Sequence, residues 1–261
     1  MKSLHALKRA SIALSLAIGA AAGLQAQVVR VEPPTVARSP EYVAALTRWQ
    51  SSFSAFSEAD KQKPPGTDGV LFVGSSTIRF WAHMAQDFRD IPLVINRGFG
   101  GSTMADCSLF AGDLVVRYKP RQVLVYAGDN DLAEGRTPLQ VLESFANFAN
   151  TVRAELPNTR ISYISIKPSP SREALLPKIR ETNNIISAYL RTLSNSEYID
   201  IYTPMIGQDD RPRSELFLAD RLHMNEAGYK LWQSVIASHL PAAVVLPQAT
   251  ASVVVPPAAP R

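Results

Sequence analysis

Apolar residues Tyr42, Leu46, Trp49, Phe53 and Phe56 recur at alternating steps of four and three, which places them on one stripe of a helix. Ser39 precedes that stripe as an N-cap, and Pro40 fills the first helical position, where its missing N–H is not needed. Lys63-Pro64-Pro65-Gly66 ends it. Downstream the pattern changes. Short apolar runs at Val70–Val73, Leu93–Ile95, Val123–Ala127, Ile161–Ile166 and Tyr198–Tyr202 alternate with helical stretches. These stretches are Thr103–Tyr118, Pro138–Leu156, Glu173–Leu193 and Asn225–Leu240. Runs that are nearly continuous in Val, Ile and Tyr fit strands covered on both faces. Five such strands alternating with helices predict βαβ crossovers and a parallel sheet, an α/β fold in a three-layer αβα sandwich.

Both ends of the chain depart from this pattern. Lys2, Lys8 and Arg9 precede an apolar run from Ala10 to Leu24, and Gln25-Ala26 offers a small-residue cleavage site. Residues 1–26 therefore read as a secretory signal peptide, with an uncleaved N-terminal anchor as the alternative. The run is short of the roughly 20 residues of a comfortable membrane span. A lipid-anchored precursor would need a Cys at the cleavage point, and none is there. Residues 27–39 read as a linker, and the Pro/Ala/Val-rich residues 241–261 as a disordered tail. The working domain is expected over residues 40–240, in an exported protein, periplasmic or secreted.

Composition narrows the classes. With 46% hydrophobic residues in 261 positions, one sizeable core is available. The single Cys excludes an intramolecular disulfide and a Cys-based zinc site. Taking Lys2, Lys8 and Arg9 from the 27 basic residues leaves 24 against 23 acidic ones, so no basic surface for nucleic acid is implied.

In an open parallel sheet, ligands bind beyond the carboxyl ends of the strands. Four blocks stand there or before the last helix: Gly74-Ser75-Ser76-Thr77, Asn96 to Thr103, Gly128-Asp129-Asn130-Asp131 and Asp220-Arg221-Leu222-His223. Each supplies one part of an acyl-transfer site. A serine at a tight turn projects its hydroxyl, a loop glycine lets a backbone N–H approach a reacting oxygen, and an Asn contributes an amide donor. A His with an Asp three residues earlier provides a base and its orienting partner.

With these blocks in this order, residues 70–240 resemble the SGNH hydrolases, also called GDSL-type esterases and lipases. The resemblance implies Ser76 as nucleophile, with Ser75 standing where the family's block usually has Asp. It implies an oxyanion hole from Ser76, Gly101 and Asn130, and a base pair of Asp220 and His223. It also implies a flavodoxin-like strand order and no cofactor or metal. Asp129 fills the variable position of its block, so its replacement is expected to be mild.

Other readings of the same residues are weaker. Gly98-x-Gly100 after a strand suggests a dinucleotide fingerprint, but Thr103 stands at the sixth position and no acidic residue follows at the ribose distance. Asp129, Asn130 and Asp131 form the best metal candidate, without His or Cys to accompany them. His83 competes with His223 as base but lacks an upstream acid. Cys107 reads as a small buried hydrophobe; Lys167 and Arg79 are placed to touch a substrate, with solvated surface charge the slightly favoured reading. The expected function is a serine esterase for carboxylic esters, with short acyl chains favoured by the absence of a lid-sized insertion. Carbohydrate acetylesterase, lysophospholipase or thioesterase are alternatives on the same fold, and a catalytically silent binding protein is the alternative from another class. A small-molecule or polysaccharide ester is the expected partner.

Overall fold

Ser39 caps the first helix, α1 (Pro40–Gln62), its Oγ accepting the Tyr42 N–H at 3.1 Å. The structure, a computed structural model, describes residues 39–241. The expected signal peptide, almost all of the linker and the tail beyond Pro241 lie outside the described residues.

Five strands follow: β1 (Val70–Gly74), β2 (Val94–Gly98), β3 (Gln122–Tyr126), β4 (Arg160–Ile164) and β5 (Ser196–Ile199). All pair in parallel, in the order β2-β1-β3-β4-β5. This is the flavodoxin-like order that the resemblance implies. Every residue of β1 and β3, the two inner strands beside the order reversal, is buried, so their runs read as continuously apolar.

Alternate side chains feed opposite cores, because strand residues point to the two faces in turn. Leu71, Val73, Val123, Val125, Ile161 and Tyr163 share one core with α1, α4 (Met104–Leu109), α7 (Pro138–Glu155) and α8 (Leu176–Leu190). Val70, Phe72, Leu124 and Tyr126 share the other with α2 (Ser76–Arg79), α3 (Met84–Asp87) and α9 (Glu226–Ile236). The outcome is the expected three-layer αβα sandwich.

The expected helix Thr103–Tyr118 is broken. It becomes α4, then α5 (Ala111–Leu114) and a short 3₁₀ turn, with Phe110 and Val115 leaving helical geometry at the two joints. Both joint side chains are fully buried, and an unbroken helix would not turn both toward the core. Helices α2, α3 and α6 (Asp129–Ala133) have no counterpart in the periodicity, because four or five residues are too few to show it.

Candidate active site

Strand β1 delivers the chain to the site through a turn that only glycine can make. Gly74 has φ +147°, and a Cβ there would sit 1.8 Å from the carbonyl oxygen of Tyr126 on β3. Ser75 then takes the extended N-cap position, its N–H donating to that same carbonyl at 3.2 Å, and Ser76 opens α2. The neighbouring loop after β2 is stitched to this turn by the Phe99 N–H, which donates to the Gly74 carbonyl at 2.9 Å.

Ser76 Oγ lies 2.9 Å from His223 Nε2, and His223 Nδ1 lies 2.6 Å from Asp220 Oδ2. A carboxylate only accepts, so the imidazole proton sits on Nδ1 and Nε2 is left to accept from the Ser76 hydroxyl. The other Asp220 oxygen accepts the N–H groups of Leu222 and His223, each at 2.9 Å. The hydrogen bond to His223, with these backbone bonds behind it, holds the Asp220 carboxyl at about 2, and it stays ionised through the neutral range.

The loop is fixed from both sides. Phe217 and Met224 form an antiparallel bridge, Leu218 N–H donates to the His223 carbonyl at 2.8 Å, and Asn225 caps α9. Arg221 reaches φ +60° to complete the turn. His83, the competing histidine, is exposed at the start of α3 and does not meet Ser76. It faces instead a cleft of ≈ 530 Å³ beside the His223 loop, between Phe80 and Leu218. The Phe80 ring stands edge-on to His223 with centroids 5.0 Å apart.

Gly101 adopts φ +86°, and its open α-carbon faces the Trp49 ring of α1, which would lie 3.7 Å from a Cβ. Asn130 opens toward the same loop from α6, its Nδ2 donating to the Ser102 carbonyl at 2.9 Å. Asp131 ties α6 to this loop as well, accepting the Met104 N–H at 2.8 Å. Burial pushes its carboxyl up to about 6. The sequence therefore brings Ser76, His223, Asp220, Gly101 and Asn130 to one end of the sheet.

Lys167 corrects the reading of it as a surface charge. It is 1% exposed, because β4 delivers it beneath the β3 end, where its Nζ lies 3.1 Å from Asp129 Oδ2 and 3.1 Å from the Tyr126 hydroxyl. Arg172 adds a second cation, its Nη1 3.1 Å from the same Asp129 oxygen. Burial raises the Asp129 carboxyl, but Lys167 and Arg172 outweigh it and hold the group below the usual carboxylate range. Asp129 is thus held by two cations, Lys167 and Arg172, rather than left free in its block. Arg79 does stay exposed, over the Phe80 ring, and Cys107 is buried as expected. Arg172 escaped the reading of the sequence, although it follows a strand end by the same route as the other site residues.

The GDSL-like lipase/acylhydrolase family model matches residues 66–231. No curated protein matches the chain. A GDSL-like lipase from Bacteroides thetaiotaomicron superposes with a TM-score of 0.60 at 22% identity, over 76% of this chain and 97% of that one. A lipase/acylhydrolase from Enterococcus faecalis gives 0.56 at 21%, over 66% and 95%. A carbohydrate esterase family 3 protein from Talaromyces cellulolyticus gives 0.55 at 18%, over 66% and 96%. At these identities the likeness is one of fold, and membership rests on the family match across most of the domain. The chain belongs to the GDSL-like lipase/acylhydrolase family.

Proposed function

We propose that the protein is a serine esterase that cleaves carboxylic esters through an acyl-enzyme, with residues 40–240 as its catalytic unit. The observation that carries this reading is the unbroken Ser76–His223–Asp220 contact chain. Ser76 Oγ attacks the ester carbonyl while His223 Nε2 takes its proton, and Asp220 steadies the imidazolium that forms. The carbonyl oxygen, now negative, is met by the N–H groups of Ser76 and Gly101 and by the Asn130 amide. Collapse expels the alcohol, which leaves with the proton from His223. Water then repeats the sequence on the acyl-enzyme and releases the acid.

The leaving oxygen must lie within reach of His223 Nε2, which returns the proton to it. The absence of a lid-sized insertion in the sequence favours short acyl chains. The fold likeness to a carbohydrate esterase supports a sugar ester as the second reading. Aryl esters of graded acyl length, run beside acetylated xylan, test both. Activity that rises with chain length to long acyl groups would overturn the short-chain assignment, and no turnover of any ester would overturn the esterase. Export follows from the character of residues 1–26 and is tested by sequencing the N-terminus of the mature protein.

Activity should fall as pH drops, because a protonated His223 cannot accept the Ser76 proton. Asp220 does not supply that limb, since its carboxyl is held at about 2. A rate that stays flat down to about pH 4 would show that the base is not an imidazole.

Asn130→Ala should lower kcat by about 10²–10³, the usual cost of one oxyanion donor, with KM nearly unchanged. EDTA should leave the rate alone. Loss of activity on chelation, restored by Mg²⁺, would sink the metal-free mechanism.

A further inference from the structure

Asn130 can serve as an oxyanion donor only if its amide nitrogen, and not its carbonyl, faces the reacting oxygen. Two contacts decide which. Nδ2 donates one hydrogen to the Ser102 carbonyl at 2.9 Å, which leaves its second hydrogen free. At the other end, Oδ1 accepts from Arg172 Nη2 at 2.8 Å. A guanidinium only donates and a peptide carbonyl only accepts, so rotating the amide by half a turn would lose both bonds at once.

Arg172 is itself held. Its Nη1 pairs with Asp129, whose other oxygen accepts the Asn130 backbone N–H at 3.0 Å. Asp129 also takes the Lys167 ammonium and the Tyr126 hydroxyl, all of them buried. Next to Arg172, the Ser171 N–H donates to the Arg221 carbonyl at 3.0 Å, inside the Asp220–His223 loop. One short segment therefore touches both arms of the site. The cations Lys167 and Arg172 pair with Asp129 behind the Asn130 amide, with Asp131 and Asp220 also acting on the cluster. Charge that appears only in the transition state gains from a fixed, Arg172-polarised amide donor more than a neutral ester does.

We propose that Arg172 is a positioning residue for the oxyanion hole, fixing and polarising the Asn130 amide; this rests on the esterase reading above. Its effect belongs in kcat. Arg172→Gln should lower kcat by about 10–100-fold with KM changed less than about twofold, the scale of a misplaced reacting group. Arg172→Lys keeps a charge beside Asp129, but a single ammonium cannot span both Asp129 and Asn130 as the fork does. It should melt near the wild-type temperature and still lose about tenfold or more in kcat.

The deciding measurement is a double-mutant cycle on a soluble short-chain aryl ester, with thermal unfolding of each variant. In the Asn130→Ala background, Arg172→Gln or Arg172→Lys should cost less than about threefold more, because the group they act through is gone. Wild-type kcat in Arg172→Lys, a loss seen only in KM, or full multiplicative losses in the double variants would each overturn the proposal. If Arg172→Gln does not fold, the Arg172→Lys arm carries the same cycle. Failure of the esterase reading looks different: the wild type then shows neither turnover nor covalent labelling of Ser76 by a fluorophosphonate.

Discussion

Ser76→Ala should abolish turnover and fluorophosphonate labelling together, with kcat falling by roughly 10⁶, as for loss of a triad nucleophile elsewhere. Ser75→Ala should leave most of both. The two adjacent hydroxyls occupy opposite environments: Ser76 Oγ meets His223 Nε2 at 2.9 Å, while Ser75 is 1% exposed and its buried Oγ finds no hydrogen-bond partner among the described residues. Removing an unsatisfied buried hydroxyl costs little or slightly stabilises the fold. Mass mapping of the labelled peptide decides the assignment, and a label on Ser75 or Ser102 would move the nucleophile.

The second large effect falls on stability. Asp129→Ala leaves Lys167 and Arg172 without their shared carboxylate, and breaking a buried pair from one side costs about 3–5 kcal/mol. For a domain of this size that lowers the unfolding midpoint by about 6–20 °C. Adding Lys167→Met should recover much of the loss, because the stranded charge goes with it. An unchanged midpoint in Asp129→Ala would show that the cluster holds nothing together. Asp129 is depressed in the fold, so its contribution is complete above the ordinary carboxyl value of 3.8 and is lost as pH falls through the lower folded value. Acid unfolding of the wild type should therefore begin below about pH 4.

This cluster also marks the border of what the sequence discloses. The blocks that hold Ser76, Gly101, Asn130, Asp220 and His223 stand out in the sequence by residue type, whereas the choice of residue within each came from the family resemblance. The alternation of runs implied the layers and the parallel pairing, whereas the strand order needed the family resemblance. Lys167 was not legible, because its partners are 38 and 41 residues away and nothing local distinguishes a buried lysine from a solvated one. Arg172 meets Asn130 across 42 residues, by way of a 3₁₀ turn with no periodic signature. The break at Phe110 is likewise a packing event. Local propensity favours a continuous helix there, and the core overrides it.

Ser76 and His223 stand 147 residues apart in the chain. At the usual pace of synthesis, about 5–20 residues per second, the nucleophile exists for roughly 7–30 s before its base has been made. During that interval the Ser76 turn can pair β1 with β2 and β3, yet its hydroxyl has nothing to take its proton. Closing a loop of that length waits on the docking of α9, the last helix described, whose Asn225 cap follows the base loop directly. On the proposed mechanism, hydrolytic competence therefore arrives only once the His223 loop has been made, later than the first folded layer. By the same mechanism, a chain cut short before Asp220 should be inert toward esters, and ester turnover would report that the Asp220–His223 loop and α9 are in place.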